Sequence, residues 1–442
     1  MGDLFLKLSD LLWKTFMPSL ILGTGIFLTF KTRFFQFRKF HSCIKILTDK
    51  SANKNTLSPF SALTTALAGS VGIGSIVGVA TALSLGGPGA ALWMLFFAFA
   101  GMIIKYAEIL LAMKYRAKSL DGQMIGGPMY YLKYGAHSPI GAALYALSAV
   151  FASFGIGNIC QSNSASTVLA YEFGVPQWLT GALLTLFCGM IILRGVKGIA
   201  KFTSIAIPII DLLFLLCGLF AILANLDRLP QVCTVIWQDA FRPAAAGGGL
   251  FGALISQPMR YGISRGIFSS EAGLGSASIV HAAAESKEPV RHAMLGILEV
   301  FISVVLACGT SALVLLLSGI QNLEGAAYAS AAYEAALPGF GRYFIPVILC
   351  LFALSAPLSW SFYGEQALRY LLKNNLSPRA QLCYRLFFLF VLFWGATTKA
   401  SIVWALSDLL NALMALPNLF ALLLLSGDVW RETRHYLQKH RE

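Results

Sequence analysis

A glycine-rich segment, AGSVGIGSIVG at residues 68–78, interrupts an apolar stretch that runs from about residue 59 to residue 85. The stretch is long enough to cross a bilayer, which takes about 20 residues, but its glycines let the backbone leave helical geometry. An unwound backbone frees N–H groups that suit a carboxylate and C=O groups that suit an ammonium or a metal cation. The central residues of the segment are Gly72, Ile73, Gly74 and Ser75.

Unpaired backbone groups at membrane depth are tolerated only where protein or a water-filled cavity covers them. Interrupted helices of this kind form the binding sites of transporters. The alternative is that the glycines only let neighbouring helices approach closely. Because Gly69, Gly72 and Gly74 are more closely spaced than helix packing requires, the segment favours a ligand site.

The composition of the 442-residue chain is that of a membrane protein. Hydrophobic residues make up 57% of it and charged residues 12%, whereas a soluble domain has roughly 25% charged residues. Apolar stretches recur along the whole length, so we predict one all-α polytopic unit, residues 1–442, embedded in the lipid bilayer. The eleven predicted transmembrane helices are at residues 11–30, 59–85, 89–113, 140–171, 178–193, 202–223, 244–267, 293–320, 344–370, 385–398 and 402–425.

The net charge of +13 predicts the membrane topology, and we expect no nucleic-acid partner. Lysine and arginine are concentrated in every second connection, beginning with seven in residues 31–54, and again in residues 427–442 after the last helix. Basic loops stay cytoplasmic. We therefore predict a multi-pass protein of the cell membrane with its N-terminus outside and a basic cytoplasmic tail.

The number of predicted helices suggests an internal repeat. If the first helix, at residues 10–31, is set aside, ten remain, which suits two inverted repeats of five at residues 59–223 and 244–426. Paired interrupted helices at matching positions of two halves point to a binding site at the membrane midplane. The first helix of the second repeat is also glycine-rich, and we include Gly252 in the candidate substrate site. Its glycines are Gly247, Gly248, Gly249 and Gly252.

Seven long motifs carry a family resemblance over residues 22–426. They are LTTALAGSVGIGSIVGVATALSLGGPGA (63–90), GMIIKYAEILLAMKYR (101–116), GGPMYYL (126–132), FGIGNICQSN (154–163), GISRGIFSSEAGLGSASIVHAAA (262–284), SWSFYGE (359–365) and DLLNALMALPNL (408–419). They resemble the alanine or glycine:cation symporter family of the amino acid–polyamine–organocation superfamily. The resemblance implies a leucine-transporter-type fold of five plus five helices, with one extra N-terminal helix. It also implies a symporter that imports a small neutral amino acid, alanine or glycine foremost, with sodium, and we expect it to function as a monomer.

The resemblance also assigns roles to polar and aromatic residues. It makes Gln161 and Asn163 ligands of the substrate or the ion, although from position alone they could equally hydrogen-bond between helices, worth about 0.6 kcal/mol. Ala356 and Trp360 are one turn apart and face the same way. The resemblance makes them substrate contacts, although Trp360 could equally be a packing residue. The candidate ion ligands are Val71, Gly74, Ser355 and Ser359.

Three positions depart from the family pattern. Where the family reads GTGN, this chain has Ile73 and Ser75 in place of the threonine and the asparagine. Ala356 stands where the family carries a threonine. Sodium, as a hard cation, prefers oxygen ligands, so Ile73 and Ala356 each remove one candidate oxygen. This leaves the coupling ion open between sodium and a proton.

Two acids, Asp211 and Glu299, lie inside predicted helices where the resemblance leads us to expect apolar residues. A carboxylate at a helix centre costs roughly 2.5–3.5 kcal/mol on insertion scales, so it rarely lies there without a role. Our hypothesis is that Asp211 or Glu299 carries a coupled proton. The alternative is a neutral acid that is hydrogen-bonded within the helix bundle.

Other charged residues in the motifs are expected to form structural pairs. Lys105 and Glu108, three residues apart, are expected to pair within one helix. Glu271 and Glu365 are expected near cytoplasmic helix ends, as gate or structural residues. Their candidate partners are Arg260 and Arg265.

The chain lacks the residue spacings that catalysis requires: no nucleophile elbow, no zinc-binding spacing and no phosphate loop GxxxxGK[ST]. Its eight cysteines are scattered, mostly in apolar helices, and indicate neither a disulfide framework nor a metal site. We therefore predict no enzyme and no cofactor beyond the coupling ion. A transporter-derived amino-acid sensor is the alternative from a different class, but the chain shows no soluble output domain.

Overall fold

The computed structural model describes residues 11–46, 57–119, 122, 124–241, 256–286 and 288–440. Two short strands, β1 (Ala117–Lys118) and β2 (Met124–Ile125), pair antiparallel. The helices of the first half are α1 (Met17–Lys31), α2 (Phe35–Arg38), α3 (Phe40–Ile46), α4 (Pro59–Ser70), α5 (Val79–Gly86), α6 (Ala90–Lys114), α7 (Pro128–Tyr130), α8 (Pro139–Phe154), α9 (Cys160–Phe173), α10 (Gln177–Ile192), α11 (Gly195–Leu223) and α12 (Leu229–Ala240).

The second half is also helical. Its helices are α13 (Gln257–Ser270), α14 (Ser276–Ala282), α15 (Pro289–Ala293), α16 (Leu295–Val300), α17 (Gly309–Leu317), α18 (Gly325–Ala336), α19 (Gly341–Leu371), α20 (Pro378–Ala396), α21 (Ala400–Leu424) and α22 (Ser426–Lys439). A 3₁₀ turn lies at Leu226–Arg228, and π-helical segments lie at Leu12–Phe16, Gly74–Gly78, Tyr131–Gly135, Gly155–Ile159 and Phe301–Cys308.

Within the described residues, seven helical segments are long and apolar enough to cross a membrane, or eight if the bent pair α4–α5 counts as one span. Two further predicted spans correspond to the shorter apolar helices α1 and α10. The span predicted at residues 244–267 falls partly outside the described residues. The chain is thus a helical polytopic membrane protein, and the count of eleven stays a prediction.

The break predicted from the glycines of residues 68–78 is present. Ser58 caps the start of α4 by accepting a hydrogen bond from the Ser61 N–H at 3.0 Å. α4 ends at Ser70, and Val71 is extended, with φ −78° and ψ 111°. The halves Pro59–Ser70 and Gly74–Gly86 are bent by 46°. We call the end of the molecule at Ser58 the Ser58 side and the end at Gly86 the Gly86 side.

A second broken helix lies at α13–α14, and its break is at residues 271–275. The predicted end of this span at residue 267 is wrong, because α13 continues to Ser270 and α14 resumes at Ser276. Serines and Glu271 lower the local hydropathy, so the apolar stretch ended before the helix did. Gly273 and Gly275 adopt positive φ values of 95° and 74°, which glycine allows without strain. The predicted glycine interruption at residues 247–252, including Gly252, lies outside the described residues.

α6 holds the second broken helix in place. Of the seven long spans it is the most deeply buried. A Cβ added at Gly262 would lie 2.5 Å from the Ala90 carbonyl oxygen, and one added at Gly266 would lie 2.6 Å from Phe97 Cδ1. Small residues allow this close approach of two backbones in a membrane. The polar residues of α6 therefore face the second break directly.

The predicted basic tail, residues 427–442, forms the helix α22 over most of its length. α22 packs against α6, where the Thr433 and Tyr106 hydroxyls are hydrogen-bonded at 2.7 Å. Nearby, the Tyr115 hydroxyl donates to Asp428 Oδ2 at 2.5 Å. The tail is thus anchored on the Ser58 side, where α6 ends.

Candidate functional site

The first break comprises residues 71–73, between the end of α4 at Ser70 and the helical segment that begins at Gly74. Within it, Gly72 faces Gln161 of α9 and Ala356 of α19. A Cβ added at Gly72 would lie 3.6 Å from Gln161 Oε1 and 3.9 Å from the Ala356 Cβ, which is ordinary van der Waals contact. The N–H groups of Gly72 and Ile73 make no backbone hydrogen bond to any described residue. Three of the predicted substrate residues are thus brought together beside free backbone donors.

Gln161 presents an unpaired oxygen to this break. Its side chain is 2% exposed, and its Nε2 donates to the Ile156 carbonyl at 2.9 Å, inside the π-helical segment of residues 155–159. Because that carbonyl only accepts, it fixes which way the amide points. Gln161 Oε1 then has no hydrogen-bond partner among the described residues. Leaving a buried acceptor unpaired costs about 1–3 kcal/mol, so this oxygen can gain stability by accepting from a donor group.

Trp360 and Glu271 close the Ser58 side of the first break. Trp360 Nε1 donates to Glu271 Oε1 at 2.8 Å, Ser276 Oγ donates to Glu271 Oε2, and both residues are fully buried. A Cβ at Gly157 would lie 1.9 Å from Trp360 Cγ, and one at Gly69 would lie 2.8 Å from Glu271 Oε1. The Trp360 indole and the Glu271 carboxylate therefore pack closely between the two breaks and Gly157, which precedes α9. We call this hydrogen-bonded pair the Trp360–Glu271 floor.

The expected partners of Glu271 and Lys105 are wrong. Glu271 pairs with Trp360 and Ser276 and not with an arginine. Lys105 pairs with Glu299 instead of Glu108, with its Nζ 2.9 Å from Glu299 Oε1. Spacing along one helix suggested a local pair, whereas the facing helices supply closer partners. Glu365 does pair with an arginine, but with one that was not among its expected partners: Arg385 Nε donates to Glu365 Oε2 at 2.7 Å.

Two serines join the broken helices on the Gly86 side of the site. The Ser75 and Ser269 hydroxyls are hydrogen-bonded at 2.7 Å. A Cβ at Gly74 would lie 2.8 Å from Phe268 Cδ1, so Gly74 serves close packing, as the alternative reading of the glycines supposed. Ile73 is fully buried beside them. A Cβ would therefore fit at Gly72, where the nearest atoms lie at ordinary van der Waals distance, but at Gly74 it would displace Phe268.

The predicted ion ligands line the α4 end and the facing helix α19. Ser359 Oγ donates to the Thr65 carbonyl at 2.6 Å, and Ser355 Oγ donates to the Phe352 carbonyl at 3.0 Å. Both hydroxyl oxygens keep their accepting lone pairs. Val71 is fully buried where α4 ends, and the negative end of a helix dipole favours a cation there. Serine and carbonyl oxygens at a helix C-terminus fit a hard cation such as sodium.

A bidentate ion pair lies in the wall of a cavity on the Gly86 side. Arg265 Nη1 and Nη2 donate to the two Asp408 oxygens at 2.9 and 2.8 Å, and the guanidinium lies 4.8 Å from the Trp404 ring centroid. The cavity has a volume of 390 Å³ and is lined in part by Arg265, Asp408, Thr81 and Asn163. Both members of the pair line this cavity.

Asn163 lies at the cavity and not at the first break. Its Nδ2 donates to the Gly395 carbonyl at 3.1 Å and to the Thr398 carbonyl at 2.5 Å. It therefore fixes the connection between α20 and α21. Although Gln161 and Asn163 are two residues apart, a helical turn of 100° per residue sends them to different faces.

Buried charges gather around the second break. Glu108 Oε1 accepts from the Gly273 N–H at 2.9 Å, the Gly275 N–H at 3.1 Å and Asn418 Nδ2 at 2.6 Å. Lys105 Nζ donates to the Ser270 carbonyl at 2.8 Å. These side chains replace the hydrogen bonds that the broken helix lacks, as a low-dielectric interior requires.

The two predicted proton carriers have different surroundings. Glu299 is fully buried beside Lys105 and His281. Asp211 lies on α11 and is 7% exposed, and its Oδ1 has no hydrogen-bond partner within the described chain.

Two features of the site were missed from sequence. The Arg265–Asp408 ion pair joins two predicted helices, and charges at membrane depth are a signal that could have paired them. His281 lies beside Glu299 and His292 lies beside His281, and their place at the end of a long motif and the start of a helix gave no signal of contact. Only the packing of α14 and α15 brings their rings to a centroid distance of 5.1 Å.

Comparison with known proteins places the chain among transporters. The model of the sodium:alanine symporter family matches residues 1–442. Over 97% of its length the chain is 40% identical to the sodium/alanine symporter AgcS of Methanococcus maripaludis, of which it covers 95%. It is 33% identical over its whole length to the putative sodium/proton-dependent alanine carrier protein YrbD of Bacillus subtilis, of which it covers 94%.

The solved structures agree in fold. The transporter MhsT in complex with L-phenylalanine superposes with a TM-score of 0.58 at 14% identity, over 83% of this chain and 89% of the other. At this identity the likeness bears on fold alone. The structural neighbours are transporters of the leucine-transporter type.

Proposed function

Because this chain belongs to the sodium:alanine symporter family, we propose that it is a secondary active symporter that imports alanine or glycine with sodium. It works by alternating access in the cell membrane. The N-terminus lies outside and the C-terminus is cytoplasmic, as the basic loops predict. The Gly86 side is then outside and the Ser58 side inside. The family is one of transporters and supports no catalytic role.

The unpaired Gln161 Oε1 beside Gly72 carries this proposal. An ammonium group of an amino acid donates hydrogen bonds and would pair with this buried oxygen. The carboxylate binds the N–H groups of Gly72 and Ile73, at the positive N-terminal end of the half-helix that begins at Gly74. One zwitterion then meets complementary charge at both of its ends.

The size of the site favours a small side chain. Gly72 lies in van der Waals range of Gln161 and Ala356, and Trp360 closes the floor below. A methyl group or a hydrogen fits beside these walls, whereas a larger side chain must displace the indole. The names of two relatives, the sodium/alanine symporter and the putative sodium/proton-dependent alanine carrier, agree with this preference.

The proposed sodium site lies at the C-terminal end of α4. Val71 and Gly74 supply backbone oxygens, and Ser355 and Ser359 supply hydroxyls from α19. This set compensates for the side-chain oxygens that Ile73 and Ala356 lack relative to the family pattern. Bound sodium adds positive charge beside the substrate carboxylate and so couples the two binding events.

Alternating access follows from the two closures. The Arg265–Asp408 pair separates the site from the outer cavity, and the Trp360–Glu271 floor separates it from the inside. Opening the first admits substrate and sodium, and opening the second releases them. Arg265 of the outer closure lies on α13, and Glu271 of the inner closure lies in the second break, which follows α13. Movement of this broken helix can therefore open one closure while the other stays shut.

The test is uptake of radiolabelled alanine into proteoliposomes that contain the purified chain, with an inward sodium gradient. We expect accumulation above equilibrium that collapses when the sodium gradient is removed, with glycine competing and phenylalanine not. Bound alanine without any flux would contradict transport and favour a sensor. Alanine accumulation that does not depend on the sodium gradient would contradict the proposed sodium site but not the transport function.

A further inference from the structure

Four buried titratable side chains form one line from the second break toward the Ser58 side. Lys105 Nζ lies 2.9 Å from Glu299 Oε1, and Glu299 Oε2 lies 3.6 Å from His281 Nε2. His281 Nδ1 lies 3.0 Å from His292 Nε2. Each of the four residues is at most 2% exposed, so protein seals the line from bulk water along its length.

Three atoms of this line have no hydrogen-bond partner among the residues described: Glu299 Oε2, His281 Nε2 and His292 Nδ1. Buried polar groups without a partner are rare, and each calls for an explanation. Here they occur at successive junctions, and the first two face each other. At 3.6 Å they are just beyond direct hydrogen-bond distance, so a small movement of α14 joins them.

The line ends close to the surface. His292 lies in α15, the short helix that starts at Pro289, and its N–H donates to the Glu288 carbonyl at 3.1 Å. Arg116 lies beside it and donates to the carbonyls of Ala284 at 3.1 Å and Ser286 at 3.0 Å. Glu288 is partly exposed. One turn of helix therefore separates His292 from solvent on the Ser58 side.

We propose that Glu299, His281 and His292 release a proton that is coupled to amino-acid import, as an ion in addition to sodium. This rests on the transport function proposed above. The Glu299 O–H bond breaks as an N–H bond forms at His281 Nε2. His281 passes the proton on its Nδ1 to His292 Nε2, and His292 gives the proton on its Nδ1 to the Ser58 side. Glu299 takes up this proton when the site is open to the Gly86 side, and each histidine gains one proton and loses one, so one proton crosses per cycle and no other reactant is consumed.

Lys105 controls when Glu299 holds the proton. In the present conformation the ammonium neutralises the carboxylate, and the same ammonium bonds the Ser270 carbonyl at the end of α13. Ser70, at the end of α4, donates to Glu299 Oε1 at 3.3 Å. Both broken helices therefore contact the pair, and rearrangement of either one changes the charge balance at Glu299. Acids and histidines inside membrane proteins form proton relays for this reason.

Other charges around Glu299 do not take its place. Glu108 accepts three hydrogen bonds at the second break, and Glu271 is held by Trp360 and by a serine. Within the described parts of the chain, neither carboxylate is paired with a histidine. On α3, which packs against α16 from the other side, the charged groups are exposed. They are His41 and Lys45.

The experiment measures proton movement and alanine movement in the same vesicles. Proteoliposomes that contain the full chain and trapped pyranine start at equal pH and equal sodium on both sides, and alanine is added outside. We expect the native chain to acidify the lumen as alanine enters. We expect Glu299→Gln to abolish this acidification while alanine counterflow persists, because exchange requires no net proton release.

Three results would overturn the relay. One is equal acidification by the native chain and Glu299→Gln, and another is native alanine entry with no change in lumen pH. The third is loss of acidification in Asp211→Asn with retention in Glu299→Gln, which would assign the proton to Asp211. In each of these cases alanine still moves. Absence of counterflow in the native chain would instead contradict the transport function itself.

Two further variants keep the test valid if Glu299→Gln fails to fold with its buried lysine unpaired. His281→Gln retains the Lys105–Glu299 pair, and we expect it to slow acidification more than counterflow. Lys105→Gln combined with Glu299→Gln replaces the ion pair with two amides, and we expect counterflow without acidification. If either variant acidified the lumen as fast as the native chain does, that result would also overturn the proposal.

Discussion

The two helix breaks differ in whether their backbone hydrogen-bonding groups already have partners within the protein. At the first break, within the described residues, the backbone N–H groups of Gly72 and Ile73 are free and the neighbouring Gln161 Oε1 is unpaired. At the second break, Glu108 and Lys105 hold the backbone through fully buried charged groups. Both breaks interrupt helices that face each other across the same site.

This difference separates recognition from support. Hydrogen bonds left unmade at the first break are available to a ligand, which can supply both a donor and an acceptor. Hydrogen bonds already made at the second break stabilise an unwound segment whose sequence, EAGLG at 271–275, carries a left-handed Glu271 with φ 57°. We therefore expect mutations at the second break to damage stability, and mutations at the first to damage binding.

Glu108→Ala gives the largest expected effect. It leaves the Gly273 and Gly275 N–H groups and the Asn418 amide without their common acceptor, and loss of a buried charged acceptor costs about 3 kcal/mol or more. The measurement is the thermal unfolding midpoint in detergent. Glu108→Gln is the matched control, because it keeps an oxygen at the same position. Equal midpoints for the alanine and glutamine variants would refute the supporting role of the carboxylate.

Gln161→Ala tests the first break. We expect normal folding, since the side chain is only partly satisfied, and weaker alanine binding by about 1.5–3 kcal/mol, the value of a hydrogen bond to a charged group. This corresponds to roughly a ten- to hundredfold increase in Kd. Calorimetry with alanine measures it, and Asn163→Ala, at the cavity, is the comparison. A larger loss of affinity in Asn163→Ala would move the substrate out of the Gly72 position.

Trp360→Phe examines the contact between the two breaks. Phenylalanine fills much of the space against Gly157 but cannot donate to Glu271 Oε1, so the floor loses one hydrogen bond to a charged group, worth about 1.5 kcal/mol. We expect a loss of affinity smaller than that of Gln161→Ala and faster release of substrate to the Ser58 side. Efflux of preloaded alanine measures the second effect. Unchanged efflux would show that the indole only packs.

A surface ion pair far from both breaks gives the smallest expected effect. Lys439 Nζ lies 2.7 Å from Glu288 Oε1, and this hydrogen bond lowers the pKa of Glu288 below its usual value. A lowered carboxyl pKa stabilises the fold above the unfolded-state pKa, and the stabilisation is lost as pH falls through the folded-state pKa. The ion pair contributes about 0–1 kcal/mol to the free energy of unfolding. The measurement compares the unfolding midpoints of the native and Lys439→Ala chains between neutral and acidic pH, and we expect their difference to shrink as the pH falls. A growing difference at low pH would contradict the assignment.

Much of the fold was readable from the chain because membrane helices obey local rules. Apolar stretches of about 20 residues must be helical in lipid, so most helix positions follow from hydropathy. The glycines of residues 68–78 predicted the first break for the same reason, since free backbone groups in lipid need cover. Hydropathy failed at the end of α13, where Ser269 and Ser270 continue the helix past its apolar stretch and Lys105 of α6 donates to the Ser270 carbonyl.

The candidate site was also predicted from sequence only in part. Sequence and family resemblance alone brought out Gly72, Gln161, Ala356 and Trp360, whose residue types suit a small zwitterion. Tertiary structure alone decided that Gln161 and not Asn163 faces the break, and that Lys105 pairs with Glu299. The physical reason is that a hydrogen bond or an ion pair depends on distances of about 3 Å, and such distances are set by how distant helices pack. Composition determines that the chain spans a membrane, whereas packing determines which of its buried charges meet.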